Sequence, residues 1–439
     1  MAKRKQQSVD KQTLAATRAA EIAQAFNDGD LKRFYDECNN LYNLFTDRLG
    51  LLVQAVHDIA FAITDEGTPA ESRLEAFKEI MKLNPYQYPD YIALNNMGIC
   101  LAYFAHYQAA ITKFKQVLKL KPDYYEGWNN YGKALSALGQ YEAAITQYEQ
   151  ALKLKPNYYE CWYDYGKTLS ALGQYEAAIT KYEQAAKLAP NNDSVWYGYG
   201  MALSNLGQYE AAIAKYEQVL KLKPDNVSAL NNYGMILIVS NRYEEAITKF
   251  ERALKLNPNS YEILANYGTA LRDLGRYEEA VIKFKQALKL NPHYVTALNN
   301  YGITLSYLGR PEEAMSQYEQ ILKLMPQFTI AWLNYGQKLF ELKQYQAAIT
   351  KFKQALTTTD AEQYIYAIYL HLGLLHYRTQ QVTMAESYFD HIMAISPPEV
   401  AQKIRLVQKG LALDADNVEM VVLINDLIAD IPQYQMVYS

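Results

Sequence analysis

Catalysis requires polar side chains at spacings that let them converge: a nucleophile beside a base, paired carboxylates, or His, Cys, Asp and Glu at metal-ligand spacing. The 439-residue chain offers six histidines and three cysteines for such work. His371 and His376 stand five residues apart, which separates them around a helix, whereas a spacing of four would set them on one face. Cys38, Cys100 and Cys161 are about sixty residues apart and lack the close pair that a metal knuckle or disulfide framework needs. They read as reduced, mostly buried thiols of a cytoplasmic protein. No glycine-rich phosphate loop occurs, because the glycines are punctuation within an internal repeat. The expectation is therefore no catalytic site, no metal, no cofactor and no enzyme activity.

The bulk properties narrow the classes further. Half of the residues are hydrophobic and 21% are charged, a globular and not a disordered composition. A formal net charge of −4 provides no broad attraction for nucleic acid or anionic membrane. The most apolar stretch, Leu51 to Ile63, is interrupted by His57 and Asp58 and is too short to span a bilayer, so no integral membrane segment is expected. The basic start, Lys3-Arg4-Lys5, is not followed by the apolar core of a secretory signal.

The elements that would position a functional surface show in the internal period. Gly98, Gly132, Gly166, Gly200, Gly234, Gly268, Gly302 and Gly336 are each 34 residues apart. Pro122 to Pro326 and Ala110 to Ala348 form two further rows with the same step. Between the markers, Trp128, Tyr131, Gly132 and Leu135 recur at helical spacing, and Gly139 ends that helix. A second helix begins near Tyr141, carries Ala144, Ile145, Tyr148, Ala151 and Leu152 on one stripe, and stops at Pro156. The small Gly and Ala rows let the two helices approach, and neither helix can bury its stripe without neighbouring units.

Trp128, Gly132, Ala144, Tyr148 and Pro156 resemble the tetratricopeptide-repeat pattern, with one departure: Tyr131 and its equivalents stand where that family usually has Leu, and Leu135 where it has Tyr. The resemblance implies an all-α fold, a right-handed superhelical solenoid of antiparallel helix pairs with helical caps at both ends. It also implies a concave groove lined by the first helices. The resemblance extends to bacterial and cyanobacterial proteins with near-identical tandem units, some of which resemble assembly factors. The expected organisation is a disordered basic N-terminus (1–9), an N-terminal helical cap (10–65) and a degenerate half-repeat (66–90). Eight 34-residue units (91–360), a divergent ninth (361–398) after a three-residue slip and C-terminal capping helices (399–439) follow.

Carried onto the groove rows of this sequence, the resemblance points to an extended peptide or partner helix as ligand. A row of asparagines two residues before the repeat glycine, Asn130, Asn232, Asn266 and Asn300 among them, offers amides to a peptide backbone or, alternatively, ties neighbouring helices together. Asp164 and Gly198 break that row. Tyr163 continues a second row, and Tyr197, Met201, Met235, Ile238 and Val239 are expected to form an apolar patch. Glu126 and Glu160 form a short acidic edge beside Lys133 and Lys167. The partner expected is a protein or peptide and not nucleic acid. A structural scaffold that self-associates through its terminal helices and convex face is the alternative.

Overall fold

A computed structural model describes residues 90–103 and 105–429. The expected N-terminal segments (1–9 and 10–65) and nearly all of the half-repeat lie outside this range, as does the last stretch of the C-terminal segment. Among the described residues all regular structure is helical. The chain divides into two units, the first ending at Gln218 and the second beginning at Val219.

The first unit contains α1 (Asp90–Tyr103), α2 (Tyr107–Leu120), α3 (Tyr125–Ala137), α4 (Tyr141–Leu154), α5 (Tyr159–Ala171), α6 (Tyr175–Leu188) and α7 (Asp193–Asn205). Helix α8 (Tyr209–Leu222) carries the boundary. The second unit continues with α9 (Val227–Val239), α10 (Tyr243–Leu256), α11 (Tyr261–Asp273), α12 (Tyr277–Leu290), α13 (Val295–Tyr307) and α14 (Pro311–Leu324). It closes with α15 (Thr329–Glu341), α16 (Tyr345–Ala355), α17 (Ile365–Arg378), α18 (Val382–Ile395), α19 (Pro398–Leu413) and α20 (Val418–Ala429). Within the first unit α1 packs on α2, α3 on α4 and α5 on α6, and each of these pairs packs on the next first helix; within the second unit the pairs from α9–α10 to α17–α18 do the same.

Steric fit explains the small rows. A Cβ added at Gly132 would stand 2.6 Å from Cε1 of Tyr148, and one at Gly234 2.6 Å from Cε1 of Phe250. The aromatic sixteen residues on thus lies directly against the glycine. Ala110, Ala144, Ala178, Ala246 and Ala280 are wholly buried on the facing side. The turn inside each pair needs a left-handed residue: Gly139 has φ +77°, and Lys343 and Gln380 hold φ +59° and +61° at the equivalent place. The three-residue slip before the ninth unit is taken up by a short 3-10 helix, Ala361–Tyr364.

The Tyr-for-Leu departure has a structural use. Tyr165 donates its hydroxyl to Glu149 Oε1 (3.1 Å) on the preceding pair, and Tyr199 and Tyr267 do the same to Glu183 (2.7 Å) and Glu251 (2.8 Å). The ring of Tyr165 stacks on Tyr148 at 5.8 Å and carries the Lys181 ammonium 4.7 Å from its centroid. Leucine offers neither the hydroxyl nor the aromatic face. The tryptophans tie successive units in another way, Trp128, Trp162 and Trp196 each donating Nε1–H to the carbonyl of the repeat proline six residues earlier, at 2.8 Å.

Candidate functional site

The first helices carry the expected site residues. Residues one after the repeat glycine emerge beside the buried Gly stripe. In the first unit Ile99, Lys133, Lys167 and Met201 are all exposed there. In the second unit Met235 is exposed, but Thr269 and Ile303 are buried. The available surface therefore differs between positions that the repeat makes formally equivalent.

The asparagine rows form a ladder between consecutive pairs. Asn130 donates Nδ2–H to Asn95 Oδ1 (3.0 Å), Asn266 to Asn231 Oδ1 (2.9 Å) and Asn334 to Asn299 Oδ1 (3.2 Å). The partner is always thirty-five residues back, so the rung joins two rows that the sequence presents separately. The breaks in the ladder follow the partner. Where that partner is Asn129, position 164 is Asp, and Asp164 Oδ2 accepts the Asn129 Nδ2–H at 3.1 Å. Where it is Tyr163, position 198 is glycine, whose added Cβ would stand 2.9 Å from the Tyr182 ring. Where it is Ala265, Asn300 turns to Thr269 Oγ1 (3.1 Å) and accepts from Arg272 (3.2 Å).

A cavity of about 550 Å³ opens on this face of the first unit, lined by Ile99, Asn130, Lys133, Asp164, Lys167 and Thr168 among others. Lys133 Nζ stands 3.8 Å from Asp164 Oδ2, an ion pair too long for a hydrogen bond, with the lysine side chain 55% exposed and the aspartate 14%. Burial raises the Asp164 carboxyl above the usual carboxylate range; Lys133, the Asn129 amide and Lys167 oppose that shift, and Glu160 adds to it. The floor is hydrogen-bonded: Thr168 Oγ1 meets Ser136 Oγ (2.9 Å) and Tyr148 Oη (3.4 Å), and Tyr148 is buried. The second unit answers with a buried cation. Arg272 Nε donates to Asp273 Oδ1 at 2.7 Å while its other arm reaches Asn300.

The expected site residues fall into three groups, with Ile238 apart from them. Met201 (40% exposed) in the first unit and Met235 (37%) and Val239 (55%) in the second are open to solvent. Tyr163 and Tyr197 are half-buried, their rings 5.9 Å from Tyr182 and Tyr216. Asn130, Asn266 and Asn300 spend their amide hydrogens between pairs, and Asn232 accepts from Asn231 (3.4 Å). Ile238 differs from the expectation of an exposed patch and is buried at 8%. It extends the stripe of Leu230 and Gly234 at four-residue steps, whereas Met235 and Val239 lie one residue, about 100°, further round. Asp164 entered the sequence reading only as an interruption of the Asn row. Its signal was a charge change at a ladder position between two lysines.

Among the described residues no group of His, Cys, Asp and Glu is disposed to hold a metal ion, and no helix is long and apolar enough to cross a membrane. Tetratricopeptide-repeat models match residues 113–146, 132–173, 163–227, 197–261, 260–327 and 300–364. Together these matches run unbroken over more than half of the chain. The chain belongs to the tetratricopeptide-repeat family. No curated protein matches it. Among solved structures it is similar to a tetratricopeptide repeat protein from Parabacteroides merdae, at 18% identity over 57% of this chain and 98% of that one, TM-score 0.48. It is also similar to MamA from Desulfovibrio magneticus (21%; 38% and 94%; TM-score 0.36) and to YrrB, described as having an unusual peptide-binding site (22%; 42% and 95%; TM-score 0.38). A tetratricopeptide array of this kind is a protein-interaction or scaffolding element, of a family generally without catalysis of its own.

Proposed function

We propose that the tetratricopeptide first-helix face binds an extended peptide or a helix of a partner protein, so that the chain acts as an adaptor. The observation that carries this reading is the cavity of the first unit, where exposed cations and apolar side chains share one wall on a hydrogen-bonded floor. A wall of that composition offers a peptide both backbone partners and side-chain pockets. The exposed Met201 and Met235 add adaptable apolar contacts in their respective units. The same reading assigns the protein to the cytoplasm and to protein partners, not nucleic acid, on the thiol and charge arguments above.

The test is partner recovery from the native cell with wild type, Met201→Glu and Met235→Glu. Both methionines are exposed, so the variants should keep their helix content and melting behaviour while losing the partner. A partner retained at wild-type yield by both variants would remove the groove assignment. A scaffold role through the C-terminal end is the second reading, favoured by Leu413 (91% exposed) and Val418 (72%) at the junction of α19 and α20. Leu413→Glu with Val418→Glu should then lower the mass seen by light scattering; an unchanged mass would remove it.

A further inference from the structure

The cavity of the first unit carries more information than its place on the groove. Its cations, Lys133 and Lys167, are equivalent residues of consecutive pairs and are both exposed. Between them in sequence stands Asp164, an acidic residue at a position where other pairs carry an amide, Asn130 in the first unit and Asn266 in the second. Its carboxylate accepts the Asn129 N–H, the reverse of the rungs at Asn130 and Asn266, whose amides donate to the residue thirty-five back, and an asparagine can take either role. An aspartate is therefore not needed for the ladder, since an asparagine Oδ1 would accept the same N–H. What aspartate adds is a negative charge 3.8 Å from Lys133, in the place where a ligand carboxylate would meet the lysines.

We propose, resting on the peptide-groove reading, that this cavity selects an acidic side chain of the bound peptide, held between Lys133 and Lys167, with Asp164 acting as an internal competitor that limits the affinity. The geometry favours a carboxylate over other groups. The Lys133–Asp164 pair is long and its lysine side chain is 55% exposed, so the ammonium can turn to an incoming carboxylate at little cost. The flanking Ile99 and the alanines of the lining leave room for apolar residues on either side of that carboxylate. Burial already works against the charge on Asp164, so a second carboxylate at the lysines meets a weakened internal rival.

Four fluorescein-labelled, N-acetylated probes test this by anisotropy against the full chain. One is an amidated peptide alternating Leu and Glu, the second has Gln for Glu, the third Lys for Glu, and the fourth is the Gln peptide with a free C-terminus. The amidated Glu peptide should bind at least about ten-fold tighter than the others. The free-acid Gln peptide separates a side-chain carboxylate from a terminal one and should not recover the affinity. Lys133→Gln with Lys167→Gln should abolish the preference, and Asp164→Asn should raise Glu-peptide affinity about three-fold or more. Asparagine is the residue that Asn130 and Asn266 already supply at this position, so that variant keeps its fold, and far-UV circular dichroism checks it. Equal binding of the Glu, Gln and Lys peptides, or a loss of affinity in Asp164→Asn, would overturn the acidic preference while leaving the groove reading in place. Failure of all four probes to bind would overturn both.

Discussion

Replacing Gly132 with alanine puts a methyl group 2.6 Å from Cε1 and 2.8 Å from Cδ1 of Tyr148. The ring has little room to retreat: it is buried, stacked on Tyr165 at 5.8 Å, and its hydroxyl meets Thr168. Overpacking of this sort costs roughly 1–3 kcal/mol, from which the better helix propensity of alanine returns about 1 kcal/mol. Gly200→Ala is the internal control. There the nearest atom, Cε1 of Tyr216, is 3.1 Å away, and a shift of a few tenths of an ångström relieves the contact. The propensity gain then balances or outweighs the strain, so Gly200→Ala should be about 1–2 kcal/mol more stable than Gly132→Ala. Urea denaturation followed by far-UV circular dichroism measures the difference. If Gly132→Ala were as stable as Gly200→Ala, the claim that the aromatic ring sets the glycine row would be wrong.

Other outcomes follow from the same geometry. Lys343→Gly should stabilise by about 0.5–1 kcal/mol in urea titrations, because relief of the left-handed strain at φ +59° exceeds the added freedom of the unfolded chain. Tyr165→Phe and Tyr267→Phe remove the hydroxyl bonds to Glu149 and Glu251 and should each cost about 0.5–1.5 kcal/mol, whereas the same change at a tyrosine without that bond should not. Burial lowers the pKa of both His371 and His376, so the folded state binds fewer protons than the unfolded one in the window below the ordinary value near 6.5. Their contribution is complete above that value and is lost as the pH falls, by up to about 1.4 kcal/mol per unit for each histidine. Denaturation midpoints taken between about pH 7.5 and 5.5 check it. His371→Phe, which keeps the stack on Phe352, should flatten the slope.

The helix pairs were legible because glycine, alanine and proline recur in phase, and each marks a place where only a small or helix-ending residue fits. Pro156 and Gly139 bracket α4 and α3 where the pattern placed them. The site was less legible. Reading the asparagines as rows at thirty-four residues hid the rungs, which run at thirty-five because each first helix meets its predecessor one residue out of step. Asp164 and Gly198 looked like faults in one row, yet Asp164 answers Asn129 opposite it and Gly198 leaves room for the Tyr182 ring. Ile238 and Val239 illustrate a finer limit: adjacent in sequence and both aliphatic, they part company because one continues the Leu230–Gly234 stripe and the other does not. Hydrophobicity alone does not separate them.

Adaptor binding through the first-helix face depends most directly on which helices touch the partner. A photoreactive benzoyl-phenylalanine placed at Met201, at Met235 and, as a second-helix position, at Ile282 (exposed on α12) would report this in the native cell. Cross-links to a partner are expected from Met201 and from Met235, each in its own unit, and none from Ile282. Cross-links from Ile282 alone would contradict first-helix binding.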